Sequence, residues 1–250
     1  MSEPEKSAKP LIIFFGVLGA LAPLRLALGF AAVPLGLVLP VSILMTVIFI
    51  AAPVLALYRA ASYAWTAKTA WLFLGGGVLV HIPLQLLAQN VLTGFPAALA
   101  AAVAQVGLVT WCVGLGALLT MLLKDKNLLI PVSVFLAAFD IFLVFTPVGF
   151  TQQIMRAAPQ ALPTVGYAVP QVTNTPTSGP VGAFAYIGPA DFLFMGMFFV
   201  ALFRFRMRTR ETLIALIPAL LVYLLLAAVL GPIPLLVPIG LTVLLVNIAE

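Results

Sequence analysis

Apolar stretches of about 20 residues recur along almost the whole chain, and charges fall almost only between them. A run of that length crosses the hydrocarbon of a bilayer as one helix, with every backbone polar group bonded internally. Such runs sit at 10–31, 36–58, 69–89, 98–123, 128–148, 183–206, 212–231 and 234–249. Only 8% of the 250 residues are charged, against about a quarter in a soluble domain. The expectation is an all-α, polytopic transmembrane helical bundle of about eight spans. It divides into four N-terminal spans over 1–127 and four more over 128–250.

The basic residues mark alternate connections. Lys6 and Lys9 precede the first span, Arg59 and Lys68 follow the second, and Lys124 and Lys126 follow the fourth. Arg204, Arg206, Arg208 and Arg210 follow the sixth, whereas the long connection 149–182 carries only Arg156. Lys and Arg favour the cytoplasmic side, so both termini are expected there. The net charge of +5 then reads as a topology signal rather than as a surface for nucleic acid. The N-terminal segment has the outline of a signal peptide, but its charges are mixed and no cleavage site stands out; it reads as a retained first helix. The long connection, rich in Pro, Thr and Gln and without helical periodicity, reads as either a flexible tether or a lid.

Two of the seven acidic residues lie inside apolar runs: Asp140 in "FLAAFDIFLVF" and Asp191 in "YIGPADFLFMG". A charge at mid-membrane costs on the order of 3 kcal/mol even on lenient scales, which makes an intramembrane carboxylate a functional candidate. Counted along their spans, each lies about 12 Å below the same boundary. Consecutive antiparallel helices would bring them face to face, with Ala137 and Gly188 one turn earlier permitting close approach. Paired carboxyls in a poorly solvated site share one proton, and such a pair can activate water while protonating a carbonyl. Gly188 and Pro189 suggest a helix start that puts Asp191 in a first turn, where the helix dipole favours the ionised form. Asp140, mid-helix, is then expected to hold the proton.

"FDIFLVF" followed by "GPADFLFMGMFFVALFRF" resembles the paired motifs of the presenilin and signal peptide peptidase family of intramembrane aspartyl proteases, closer to signal peptide peptidase. The resemblance covers roughly residues 128–250. It implies Asp140 and Asp191 as catalytic residues, with Phe139 at the position of the family's tyrosine. Gly188 stands at the first glycine of Gly-x-Gly-Asp, Pro189 at the variable position, and Ala190 where the second glycine is expected. The family's Pro-Ala-Leu motif opens its last helix; position matches it to Pro234, Leu235 and Leu236, with Pro232 beside them. The literal "PAL" at Pro218–Leu220 falls mid-span, and "PQALP" at 159–163 lies in the long connection. The implied substrates are transmembrane peptides, type II or signal-peptide-like, cleaved in a membrane, prokaryotic from the chain's compactness. No cofactor is expected. The family has nine helices, one more than the spans counted here.

Two other readings stay open. The buried acids would also suit a proton-coupled transporter, although no internal repeat is visible. A prepilin-type peptidase shares a glycine-aspartate motif but would place it near a basic cytoplasmic face. Elsewhere, His81 without a second histidine or nearby acid is expected to be structural, with Gln85 one turn on as an interhelical partner. Arg25 is expected to snorkel to the interface. Gly75, Gly76, Gly77 and Cys112 read as helix packing, and Arg204–Arg210 as an anchor.

Overall fold

The computed structural model describes residues 7–147, 149–157, 161–177, 179–231 and 233–248. It is predominantly helical. α1 (Lys9–Phe30), α2 (Leu35–Ala61), α3 (Ala67–Asn90) and α4 (Gly94–Leu122) form the first half. A 3₁₀ turn (Lys126–Leu128) leads into α5 (Leu129–Phe145), followed by two short helices, α6 (Phe150–Ala157) and α7 (Leu162–Val165). A hairpin of β1 (Tyr167–Pro170) and β2 (Ala183–Ile187) precedes α8 (Pro189–Arg204), α9 (Thr209–Leu230) and α10 (Leu236–Asn247).

Six helices among the described residues are long and apolar enough to cross a membrane: α1 to α5, with the 3₁₀ turn extending α5, and α9. The expected sixth and eighth spans are shorter than the sequence suggests. α8 has 16 residues and α10 has 12, roughly 24 and 18 Å at 1.5 Å per residue. The sixth is cut short because 183–187, "AFAYI", forms a strand; hydropathy does not separate a short buried strand from a helix turn. The connection 149–182 is likewise not structureless, holding α6, α7 and β1. It is also tied down: the Thr177 amide and hydroxyl both donate to the Gly29 carbonyl at the end of α1, each over 3.0 Å.

α4 is the central element. It packs on α3, α8, α1 and α2. α3 and α4 approach closely enough that a Cβ at Gly77 would lie 2.4 Å from the Trp111 nitrogen, and one at Gly107 2.7 Å from the His81 nitrogen. Gly75 and Gly76 face open space, so only Gly77 of the triplet serves packing. Gly116 does the same on the other side of α4, where a Cβ would meet Leu193 O at 2.6 Å in α8. α8 is consequently buried from Met195 to Phe203, while Trp71, Phe135 and Leu35 on outer helices are largely exposed. Large exposed apolar residues around a packed helical interior are what a lipid-facing surface requires.

Prolines inside α1, α2, α3 and α9 delete helix hydrogen bonds, which membrane helices tolerate where neighbours supply partners. At its far end α9 stops at Gly231, whose φ of 87° only glycine adopts without strain.

Candidate active site: two carboxyls at helix starts

Asp191 is set by the junction between β2 and α8. Gly188 is the N-cap of α8, Pro189 and Ala190 its first two residues, and Asp191 the third. The Gly188 amide donates to Asp191 Oδ2 over 3.0 Å, and the Asp191 amide donates back to the Gly188 carbonyl over 3.1 Å. The carboxylate thus takes up a donor at a helix start, where the helix dipole also favours negative charge. A Cβ at Gly188 would stand 3.1 Å from Asp191 Oδ2, so glycine leaves the room this contact needs. Two neighbours fix the turn. Cys112 Sγ, buried in α4, donates to the Pro189 carbonyl over 3.3 Å, and the Tyr167 ring of β1 meets Phe192 edge-on at 5.1 Å.

Asp140 lies five residues before the end of α5 and is only 9% exposed. Its Oδ2 accepts the Leu236 amide over 2.8 Å. Leu236 is the first residue of α10 and Leu235 its N-cap, so the second carboxyl also sits at a helix N-terminus. The expectation that Asp140 lacks this help, and that the two acids differ on that ground, is overturned. Tertiary packing brings α10 to α5: a Cβ at Gly240 would be 3.0 Å from Ser133 O.

The equal-depth picture needs a second correction. The sequence sets both acids about 12 Å below one boundary; they stand five residues before the end of α5 and two after the start of α8. Nor do α5 and α8 pack along one another. α5 packs on α10, and α8 on α4 and α2. The carboxyls still come within electrostatic range of each other, and Tyr223 of α9 is within range of both. Among the described residues neither Oδ1 has a hydrogen-bond partner, so each acid keeps one oxygen for another group.

The remaining candidates divide. Gly188, Pro189 and Ala190 shape the Asp191 turn, and Leu235 and Leu236 build the donor to Asp140, with Pro234 buried just before them. Phe139 is 45% exposed and stacks on Phe135 at 5.7 Å, on the outer face of α5. Pro232 lies outside the described residues. The structure adds Tyr223 and Cys112 to the surroundings of the two acids; a hydroxyl inside "LLVYLLLAAV" is the sequence signal for the first. The literal Pro218–Leu220 motif is interior to α9.

His81 and Arg204 hold neighbouring helices together. His81 Nδ1 bonds the Ala104 carbonyl of α4 at 3.0 Å. Arg204 donates to the Thr120 carbonyl over 2.6 Å, joining α8 to α4. Arg25 does not snorkel to solvent; it is 7% exposed and covered by the hairpin. Gln85 is not an evident interhelical partner, since its Oε1 is buried without a hydrogen bond among the described residues. Among those residues no cluster of three His, Cys, Asp or Glu side chains is placed to hold a metal. No protein-family model, curated protein or solved structure matches the chain.

Proposed function

We propose that the chain is an intramembrane aspartyl protease of the presenilin and signal peptide peptidase type, hydrolysing peptide bonds within transmembrane segments. One observation carries the reading. Two carboxyls from apolar segments, Asp140 and Asp191, lie within electrostatic range, each anchored through Oδ2 by one backbone amide. Two acids that meet in a poorly solvated site share one proton between them, and that is the state this reading assigns to the pair.

The chemistry follows from that shared proton. The ionised carboxyl takes a proton from a water whose oxygen attacks the peptide carbonyl carbon. The protonated carboxyl gives its proton to the carbonyl oxygen, leaving a tetrahedral diol. Return of a proton to the amide nitrogen lets the C–N bond break, giving one new carboxyl and one new amine. Backbone amides fixing the carboxyls keep their free oxygens oriented without reorganisation during the reaction.

β2 gives the substrate a route. It pairs with β1 on one side only among the described residues, and it runs directly into the Asp191 turn. An extended peptide adding to its other edge would be held by backbone hydrogen bonds beside the strand that leads into the Asp191 turn. A transmembrane helix must unwind to be cut, and a strand edge supplies hydrogen bonds for the unwound part. In this reading both termini lie on the cytoplasmic side of a cell membrane, and type II or signal-peptide-like segments are the substrates.

The test is purified protein in detergent with a fluorogenic transmembrane peptide and a hydroxyethylene peptide isostere, which mimics the diol. Cleavage that the isostere blocks supports the protease. Absence of cleavage, with proton-driven solute uptake in liposomes that Asp140→Asn abolishes, would assign a transporter instead.

A further inference from the structure

The hairpin has a second face. Tyr167 pairs in register with Ile187 and its ring meets Phe192 of α8, whereas Ala168 pairs with Tyr186, and alternation turns those two to the opposite side. There they line a cavity of about 120 Å³, separate from the carboxyl pair. Arg25 of α1, Gln85 and Gln89 of α3, and Gln105 of α4 line it as well.

Arg25 is a buried cation without an anion. Its Nη2 donates to the Ala168 carbonyl over 2.5 Å, and the guanidinium lies 4.9 Å from the Phe49 ring centre and 5.4 Å from that of Tyr167. Among the described residues no carboxylate partners it. Burial pushes the Tyr167 phenol above its ordinary range, with the Arg25 cation opposing, so at neutral pH the ring supplies no counter-charge. A buried charge with neutral partners only is costly. The second unfulfilled group is Gln85 Oε1, on a side chain 5% exposed, which lacks a donor. The other glutamines are engaged: Gln105 Oε1 accepts the Ala168 amide over 2.9 Å, and Gln89 Oε1 accepts the Thr164 hydroxyl over 2.8 Å.

An occupant satisfying both must bring an anionic oxygen to Arg25 and an N–H or O–H to Gln85. Position narrows it further. Arg25 and Gln85 each lie five residues from the ends of α1 and α3, and Ala98 four from the start of α4. In a bundle that spans a bilayer, that level is where helix ends meet lipid headgroups. We propose that this cavity binds a phosphate ester carrying a hydrogen-bond donor, with phosphoethanolamine and phosphoglycerol headgroups as its chemical class. The guanidinium holds the phosphate oxygens and Gln85 accepts from the ammonium or hydroxyl. The site stands independently of the protease reading.

Thermal unfolding of the purified protein in detergent tests this, with added phosphatidylethanolamine, phosphatidylglycerol, phosphatidylcholine or inorganic phosphate. The first two are expected to raise Tm more than phosphatidylcholine, which has no donor. Arg25→Gln should weaken that response about tenfold or more, the loss of a charge-assisted contact. Inorganic phosphate matching the lipids, and still requiring Arg25, would identify the source as soluble phosphate with the same chemistry. Gln85→Leu keeps the guanidinium and should fold at an unchanged or higher Tm, while losing the preference for ethanolamine over choline. A response to none of the four probes, or an ethanolamine preference that survives Gln85→Leu, would overturn the proposal and leave a cavity holding water only.

Discussion

The backbone amide of Leu236 donates to Asp140 Oδ2 over 2.8 Å, joining the first residue of α10 to a carboxyl 96 positions earlier in the chain. Asp191 has a counterpart bond from Gly188, only three positions away. The two acids therefore receive the same kind of anchor, one through a tertiary contact and the other within a single turn. A donor to a charged acceptor is the stronger kind of hydrogen bond, worth about 1.5–3 kcal/mol.

Leu236→Pro removes the N–H that reaches Asp140; it also removes the leucine side chain and strains Leu235, whose helical backbone (φ −76°, ψ −22°) is disfavoured before proline. Peptide cleavage should fall roughly 10- to 150-fold, which is that hydrogen bond expressed as a rate. Leu236→Ala controls for the lost side chain and should retain most of the rate. Equal activity in the two variants would show that the amide is not used.

Gly188→Ala places a methyl 3.1 Å from Asp191 Oδ2. The φ of −65° suits alanine, so backbone strain does not enter. The expected result is a rate loss of about tenfold, against a stability loss near 1 kcal/mol for alanine at an N-cap. Steady-state cleavage and a thermal melt on one preparation separate the two effects.

The α3–α4 contact predicts a sharp difference between neighbours. Gly77→Ala drives a Cβ to 2.4 Å from the Trp111 nitrogen, whereas Gly76→Ala meets nothing within 4 Å. The first should destabilise by about 1–3 kcal/mol, as overpacking does. The second should be neutral or stabilising by up to about 1 kcal/mol, since alanine favours the helix. Tm values of the two variants decide it.

Cleavage should follow a bell-shaped pH profile. On the acid side the pair takes up a second proton and loses its base; on the alkaline side it loses its only proton and with it the acid. Tyr223→Phe removes a hydroxyl near both carboxyls; where that hydroxyl donates to the ionised acid, its loss should move the acid limb to higher pH while cleavage continues. An unchanged profile would remove Tyr223 from the site.

Much of the site was legible because its signals are local. Gly188 and Pro189 mark a helix start, and Asp191 two residues on follows from helix geometry alone. Pro234 and Leu235 lead into α10 while Pro218–Leu220 lies inside α9, and the Leu236 amide at the start of α10 reaches Asp140. The anchor on Asp140 was not legible, since it is a backbone contact across 96 positions. The hairpin was hidden for another reason. "AFAYI" is apolar enough to extend a hydrophobic run, and hydropathy carries no sign of the partner strand at 167–170 that makes it β. The burial of Arg25 is hidden for the same reason: its cover comes from that hairpin, not from its own helix.

The most direct measurement is cleavage of a fluorogenic transmembrane peptide by purified protein, set beside Asp140→Ala and Asp191→Ala preparations that retain the parent's helical content. Both substitutions are predicted to abolish cleavage, with product masses from the parent showing addition of one water across a single peptide bond. Cleavage persisting in either variant at the parent rate would contradict the assignment of Asp140 and Asp191 as one catalytic pair.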